Sequence, residues 1–420
     1  MEDKSLFETG QYSQIIKKYN GREDELDVWD LYWLSRSYYK MEKYTECIKT
    51  YELYKGLNSG RDNLKNICAW AYYHIMKTRE NKESLLKFAN YIIDNSEQGD
   101  FSPYEFTVDY VVKFLEEEKG AFNKEETYEW LKKLNPNLLS KEPYISEKDG
   151  VKRELASKHE KWYASKSKYE FDLGLYVESI ETCNLALNNI NKFHTDNDVW
   201  FKFKISKSLK ELGNINEAKD KLEELGKIHK HFAIKSELGD ALIKLGEKED
   251  AKKAYYEGLV SKIGTLGNKV KLIENLADVL LEDRNLENAK LNYLLVKKIR
   301  DENNWNISPN LTNKINSLKD VNLKIEENEI LDSCINNWHK NYYNNLEKAK
   351  GKIIFILKNN KGGFIEFEKE SIYFNTSELK EIKTKEAINK SVKFFITDGY
   401  NKKKKQIQKE AINIEVLGAE

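Results

Sequence analysis

The chain has 420 residues, with 70 Lys or Arg against 70 Asp or Glu and a net charge of zero. It is long enough for two or three domains, and too balanced in charge to coat nucleic acid or a membrane indiscriminately, so any electrostatic site must be local. Only four prolines and 20 glycines, in a chain that is 33% charged, favour long helices over a loop-rich or disordered polymer.

From the N-terminus, "MEDKSLFETGQYSQ" has no apolar leader core, and no apolar run approaches 18 residues anywhere. A cytoplasmic protein is expected. The cysteines Cys47, Cys68, Cys183 and Cys334 form no CxxC and sit inside apolar helical patterns. They read as small buried hydrophobes in a reducing compartment.

In residues 28 to 57, "VWDLYWLSRSYYKMEKYTECIKTYELYKGL", large apolar residues recur three and four apart on two helices separated by the polar break "KMEKY". This helical hairpin resembles the tetratricopeptide repeat. Leu31, Leu34, Ser35, Tyr38, Cys47 and Tyr51 meet its pattern of large and small positions. Similar units recur at 171 to 187, 205 to 225, 238 to 259 and 276 to 296. Their small residues Ser179, Ala218, Ala251 and Ala289 are 39, 33 and 38 apart, near the 34-residue repeat with short insertions. Gly174, Gly213 and Gly246 fall at one register, where the chain reverses.

The expected organisation is a first array over 1–140, a linker over 141–158, a second array over 159–300, capping helices over 301–350 and a β module over 351–420. Between 62 and 140 the helical period persists while the small positions blur, as in degenerate helical pairs. The segment 140–158 is polar, holds one of the prolines and reads as a loop. In the capping segment, Trp338 and Tyr342 would dock on the last repeat. Tyr72, Tyr73 and the other array tyrosines read as repeat core. Such arrays offer broad surfaces for a protein or peptide partner, and closure into a homo-oligomer is open.

From residue 351 the period changes to 2. Ile365 and Phe367 share one face against Phe364, Glu366 and Glu368; Ile372 and Phe374 oppose Tyr373 and Asn375; Val392, Phe394 and Ile396 alternate with Lys393, Phe395 and Thr397. "KIIFIL" is apolar on both faces, so alternation leaves the direction of Phe355 open. Five short strands suggest an OB-type barrel. The pieces "GKIIFILKNNKGGFI", "SIYFNTSEL" and "EAINIEVL" resemble the first motif, second motif and closing strand of the cold-shock domain.

The fold class is therefore mainly α: a tetratricopeptide-like solenoid followed by a small five-stranded cold-shock-like barrel. The resemblance implies stacking of single-stranded nucleic acid, RNA favoured over DNA, on Phe355, Phe364 and Tyr373, with Asn375 beside them and phosphates met by Lys361. Gly362, Asn375 and Thr376 depart from the family's stacking and histidine positions, which implies weak binding. Residues 351 to 420 hold 14 Lys or Arg and 10 Asp or Glu, a net of +4 that leaves −4 on the rest. Lys402, Lys403, Lys404 and Lys405 lie between the last two strands, either on a phosphate path or in a solvated loop.

No catalytic triad, phosphate-cradling glycine loop or acidic pair stands out, and His229 and His231 in "HKH" lack further ligands nearby. No enzyme, cofactor or metal site is expected. Two readings remain: an adaptor that binds protein through the array and single-stranded nucleic acid through the barrel, or a pure protein scaffold whose barrel is a docking or capping module. The combination resembles bacterial adaptor proteins, for which stress, RNA-processing or defence roles are conceivable. An exposed, basic, aromatic face would favour the adaptor, and burial of that face on the array the scaffold.

Overall fold

The apolar stripes of period 3.6 become helices because each can bury its stripe on a neighbour. The computed structural model describes residues 2–57, 62–117, 123–148, 150–380, 382–401 and 404–417. They divide into two compact units, Met1–Phe201 and Lys202–Glu420.

The first unit opens with α1 (Glu2–Glu8), α2 (Tyr12–Tyr19), α3 (Val28–Lys40) and α4 (Tyr44–Leu57). Asp27 starts α3 by accepting from the main-chain N–H groups of Trp29 and Asp30, at 2.8 and 2.9 Å. Leu31, Leu34, Ser35, Tyr38, Cys47 and Tyr51 are all buried between α3 and α4 or their neighbours. There the Ser35 hydroxyl donates to the Cys47 carbonyl at 3.2 Å, which shows how closely the two backbones approach. Then come α5 (Lys65–Met76), α6 (Lys82–Asn95), α7 (Pro103–Glu117) and α8 (Lys124–Leu131).

The segment expected to be a loop holds an antiparallel hairpin, β1 (Tyr144–Lys148) and β2 (Val151–Leu155). Its strands expose Tyr144, Ile145 and Val151, so no apolar stripe announced it. The unit continues through α9 (Lys158–Asp172) and α10 (Tyr176–Asn189), and the boundary falls within α11 (Asn197–Glu211).

The second unit carries α12 (Ile215–Ile228), α13 (Phe232–Lys244), α14 (Lys248–Val260), α15 (Val270–Glu282) and α16 (Leu286–Glu302). Ser179, Ala218, Ala251 and Ala289 are fully buried. At the hairpin turns Gly174, Gly213 and Gly246 take φ of 78°, 86° and 81°. Glu42 and Arg284, both with φ of 58°, hold the same left-handed turn without glycine. One contact repeats across hairpins: Tyr255 donates to Asp240 at 2.7 Å, and Tyr293 to Asp278 at 2.5 Å. All four cysteines are buried free thiols.

After α17 (Pro309–Ser317), α18 (Ile330–Asn344) buries Trp338, whose indole donates to Asn292 of α16 at 2.9 Å. The chain then enters β3 (Glu347–Ile356), β4 (Gly362–Phe367), β5 (Glu370–Asn375), β6 (Ser391–Asn401) and β7 (Gln406–Val416). They close into a barrel of order β3-β4-β5-β7-β6, with β5 and β7 parallel and the other pairs antiparallel. Strand β3 begins at Glu347, four residues before the period change. The charged "EKAK" looks helical, yet Ala349 faces the core and pairs with Phe394. The core holds Ile353, Ile365, Ile372, Phe374, Val392, Phe394 and Ile414. Among the described residues no helix is long and apolar enough to cross a membrane.

Candidate nucleic-acid interface

In β3 the ladder with β4 slips between Ile353 and Phe355. Ile353 is fully buried, whereas Ile354 and Phe355 are 42% and 50% exposed. A bulge therefore spends one residue and turns Phe355 outward, which alternation alone left open. Phe355 is registered with Phe364, and Phe364 with Tyr373, so three aromatics stand in a row across β3, β4 and β5. Phe364 and Tyr373 are half-buried, with ring centroids 5.8 Å apart at 69°. The neighbouring Gly362 seats the tyrosine: a Cβ there would lie 2.5 Å from the Tyr373 hydroxyl. The missing aromatic at Gly362 is thus matched by a ring lying over it.

Flanking groups set the electrostatics. Glu366 is exposed next to the row and registered with Lys352. Glu368 leaves the face assigned to it, because β4 ends at Phe367 and Glu368 sits in the hairpin turn with φ of 46°. Glu410 of β7, which sequence reasoning passed over, is registered beside Tyr373 and lies across Gly399, where a Cβ would collide with its carboxylate. Burial, then Glu410, push the Tyr373 phenol up from its ordinary value. Only the parallel pairing of β5 with β7 brings Glu410 here, so no local pattern could have found it.

Lys361 is exposed on the β3–β4 loop, its main-chain N–H donating to Asn359 Oδ1 at 3.0 Å. Asn375 Oδ1 accepts from the Ser377 N–H at 3.0 Å, starting the short turn Thr376–Glu378. Thr376 in turn donates from its hydroxyl to the Asn360 carbonyl at 2.7 Å, tying the loop to the end of β5. Lys404 donates its main-chain N–H to Asn401 Oδ1 at 3.1 Å, and Lys405 takes φ of 51°. Lys402 and Lys403 lie outside the described residues.

The barrel is held to the helices of its own unit by a different side. Phe395 of β6 stacks on Tyr343 of α18, centroids 4.7 Å apart and 19° between planes. Lys262 forms an ion pair with Glu378 at 2.7 Å. The structure thus brings Phe355, Phe364 and Tyr373 together, sets Lys361 and Asn375 at the ends of β4 and β5 beside them, and packs Phe395 of β6 on α18. His231, singled out in "HKH", serves as a helix start: its Nδ1 accepts from the Ala233 N–H at 3.1 Å. Among the described residues no group of three or more His, Cys, Asp or Glu is placed to hold a metal.

No family model and no curated protein matches the sequence. Among solved structures, a tetratricopeptide repeat protein from Parabacteroides merdae aligns at TM-score 0.38 and 11% identity, over 73% of this chain and 98% of its own. The anaphase-promoting-complex hetero-tetramer Cut9-Hcn1 aligns at 0.35 and 10%, over 76% of this chain and 58% of the other. BtubC from P. vanneervenii aligns at 0.34 and 14%, over 63% and 99%. The fold assignment rests on the hairpins and the barrel themselves.

Proposed function

We propose that the protein is a non-enzymatic adaptor, whose helical array binds a protein partner and whose barrel holds a few unpaired bases of single-stranded nucleic acid, RNA before DNA. The observation that carries this reading is the outward row Phe355, Phe364 and Tyr373 on three adjacent strands. Adjacent strands are about 4.8 Å apart, so the row offers successive bases flat apolar partners, each worth roughly 1–3 kcal/mol. In OB-type barrels the corresponding middle strands and the loops at both ends meet oligonucleotides. Lys361 and Lys404 stand on such loops, while Glu366 and Glu410 oppose phosphate and keep binding weak.

Fluorescence anisotropy of labelled RNA and DNA oligomers tests the reading, at low and physiological salt, beside a Phe364→Ala/Tyr373→Ala variant. Salt-sensitive binding that the variant loses by roughly a hundredfold, about two stacks, is expected. Absence of binding by the wild type at low salt would leave the pure protein scaffold. What supports that second reading is the Tyr343–Phe395 stack, which makes the barrel an integral part of its unit.

A further inference from the structure

A concave feature lies on the barrel away from the aromatic row, with β3 contributing to both. Where β3, β6 and β7 meet, a groove of about 380 Å³ is bordered by Lys348, Lys350, Lys393, Phe395, Asn413 and Glu415. Asn413 is 7% exposed, and its Oδ1 has no hydrogen-bond partner among the described residues. Its backbone is accounted for: φ is 50°, a left-handed conformation that suits asparagine, and its N–H donates to Glu378 Oε2 at 3.2 Å. The turn explains the residue type. It does not explain a buried carbonyl oxygen left unpaired beside a groove, since native structures rarely leave such an acceptor unmatched.

The rest of the groove says what would match it. Phe395, half-buried with its ring stacked on Tyr343, still borders the groove, and Lys348 Nζ lies 5.6 Å from its centroid. Lys393 is countered by Glu415 at 2.8 Å, but Lys348 and Lys350 have no carboxylate partner among the described residues. An N–H donor on a flat ring, carried by an anionic backbone, satisfies all three features at once: the oxygen, the ring and the two lysines.

We propose that this groove takes a further nucleotide of the strand bound by the aromatic row, a base N–H donating to Asn413 Oδ1 and phosphates lying against Lys348 and Lys350. The inference rests on the adaptor reading and extends it. The connecting path is β3 itself, whose exposed Lys348, Lys350 and Lys352 alternate outward and lead toward Phe355. From Lys348 to Phe355 the strand covers roughly 23 Å, so the full site is longer than the row alone. A short oligomer occupies only the row, whereas one of about nine nucleotides reaches both.

The test compares labelled three- and roughly nine-nucleotide RNAs on the intact protein, with Asn413→Gly, Asn413→Asp and Lys348→Ser/Lys350→Ser variants. Glycine keeps the left-handed turn and removes the acceptor; aspartate keeps the shape and adds a repelling charge. An unchanged thermal midpoint in either variant certifies the fold. The expected result is that the wild type binds the longer RNA at least tenfold more tightly, and that both Asn413 variants abolish this gain while leaving the three-nucleotide affinity intact. The lysine variant should flatten the logarithmic salt dependence for the longer RNA by about 1.4, near 0.7 for each lost phosphate contact.

If the Asn413 variants match the wild type at every length while Phe364→Ala/Tyr373→Ala loses binding, the groove inference falls and the adaptor reading stands. If the wild type binds no oligomer, both fall. If the lysine variant instead loses binding of a Glu-rich peptide and retains the longer RNA, the groove is a protein site and the inference is overturned.

Discussion

The helical array and the barrel spend their residues differently. In the array one solution is used repeatedly: Asp240 with Tyr255 in one hairpin, Asp278 with Tyr293 in the next, each pair 38 residues from its counterpart. In the barrel each device appears once, whether the bulge before Phe355, the ring over Gly362 or the carboxylate over Gly399. A repeated solution tolerates local drift because a neighbour shows what the position is for. A device used once is legible only in three dimensions.

The largest expected effect probes how far the repetition is exact. Gly239 stands where the next hairpin has Ala277, and a Cβ at Gly239 would lie 2.1 Å from Cε1 of the Tyr255 ring. In an exposed helix Gly→Ala would gain about 1 kcal/mol. Here three ring atoms of Tyr255 within 2.8 Å of that Cβ put overpacking at the upper end of its usual range, about 3 kcal/mol, so Gly239→Ala is expected to lose about 2 kcal/mol net in urea unfolding. A gain would mean that the two hairpins pack alike and that the glycine is incidental.

The next effect concerns the barrel's device at Glu410. Replacing this carboxylate by Gln removes a charge beside Tyr373 while keeping the side chain that covers Gly399. RNA affinity should rise about fivefold, near 1 kcal/mol, at low salt, with a smaller rise at physiological salt. An unchanged affinity would place any bound strand away from β7.

The same contrast explains what the sequence disclosed. Apolar spacing of three and four, small residues at Ser179, Ala218, Ala251 and Ala289, and three turn glycines were enough to read the hairpins, because each signal is local and recurs. Glu42 and Arg284 show the limit of that code, since they hold the same turn with nothing in their residue type to say so. In the barrel, alternation assigned Phe364 and Tyr373 to the outer face correctly. Phe355 needed the bulge, Glu410 needed the parallel pairing of β5 with β7, and the Asn413 groove needed three strands brought together. The β1–β2 hairpin was invisible for a further reason: both strands are largely exposed, so neither carries the one-sided apolar pattern that marks a strand.

That hairpin is fixed by polar contacts, and this gives the smallest and most condition-dependent prediction. His194 is flanked by two carboxylates, Glu154 of β2 at 2.7 Å from Nε2 and Glu160 of α9 at 2.8 Å from Nδ1. A neutral imidazole donates only one hydrogen bond, whereas the cation donates two. The bond to Glu154, then that to Glu160, therefore hold the His194 pKa above its ordinary 6.5. A raised folded-state pKa stabilises fully below the unfolded value and is lost as pH climbs through the folded one. The thermal midpoint of the wild type, measured relative to His194→Gln, should thus fall as the pH rises from the ordinary 6.5 through the raised value. The comparison isolates this residue because burial lowers the pKa of His74, His159, His231 and His339, whose contributions run in the opposite direction and are common to both proteins. A constant difference across that range would mean that folding leaves the His194 pKa unchanged and that the hairpin is held instead by Lys192, which bonds Glu154 at 2.6 Å.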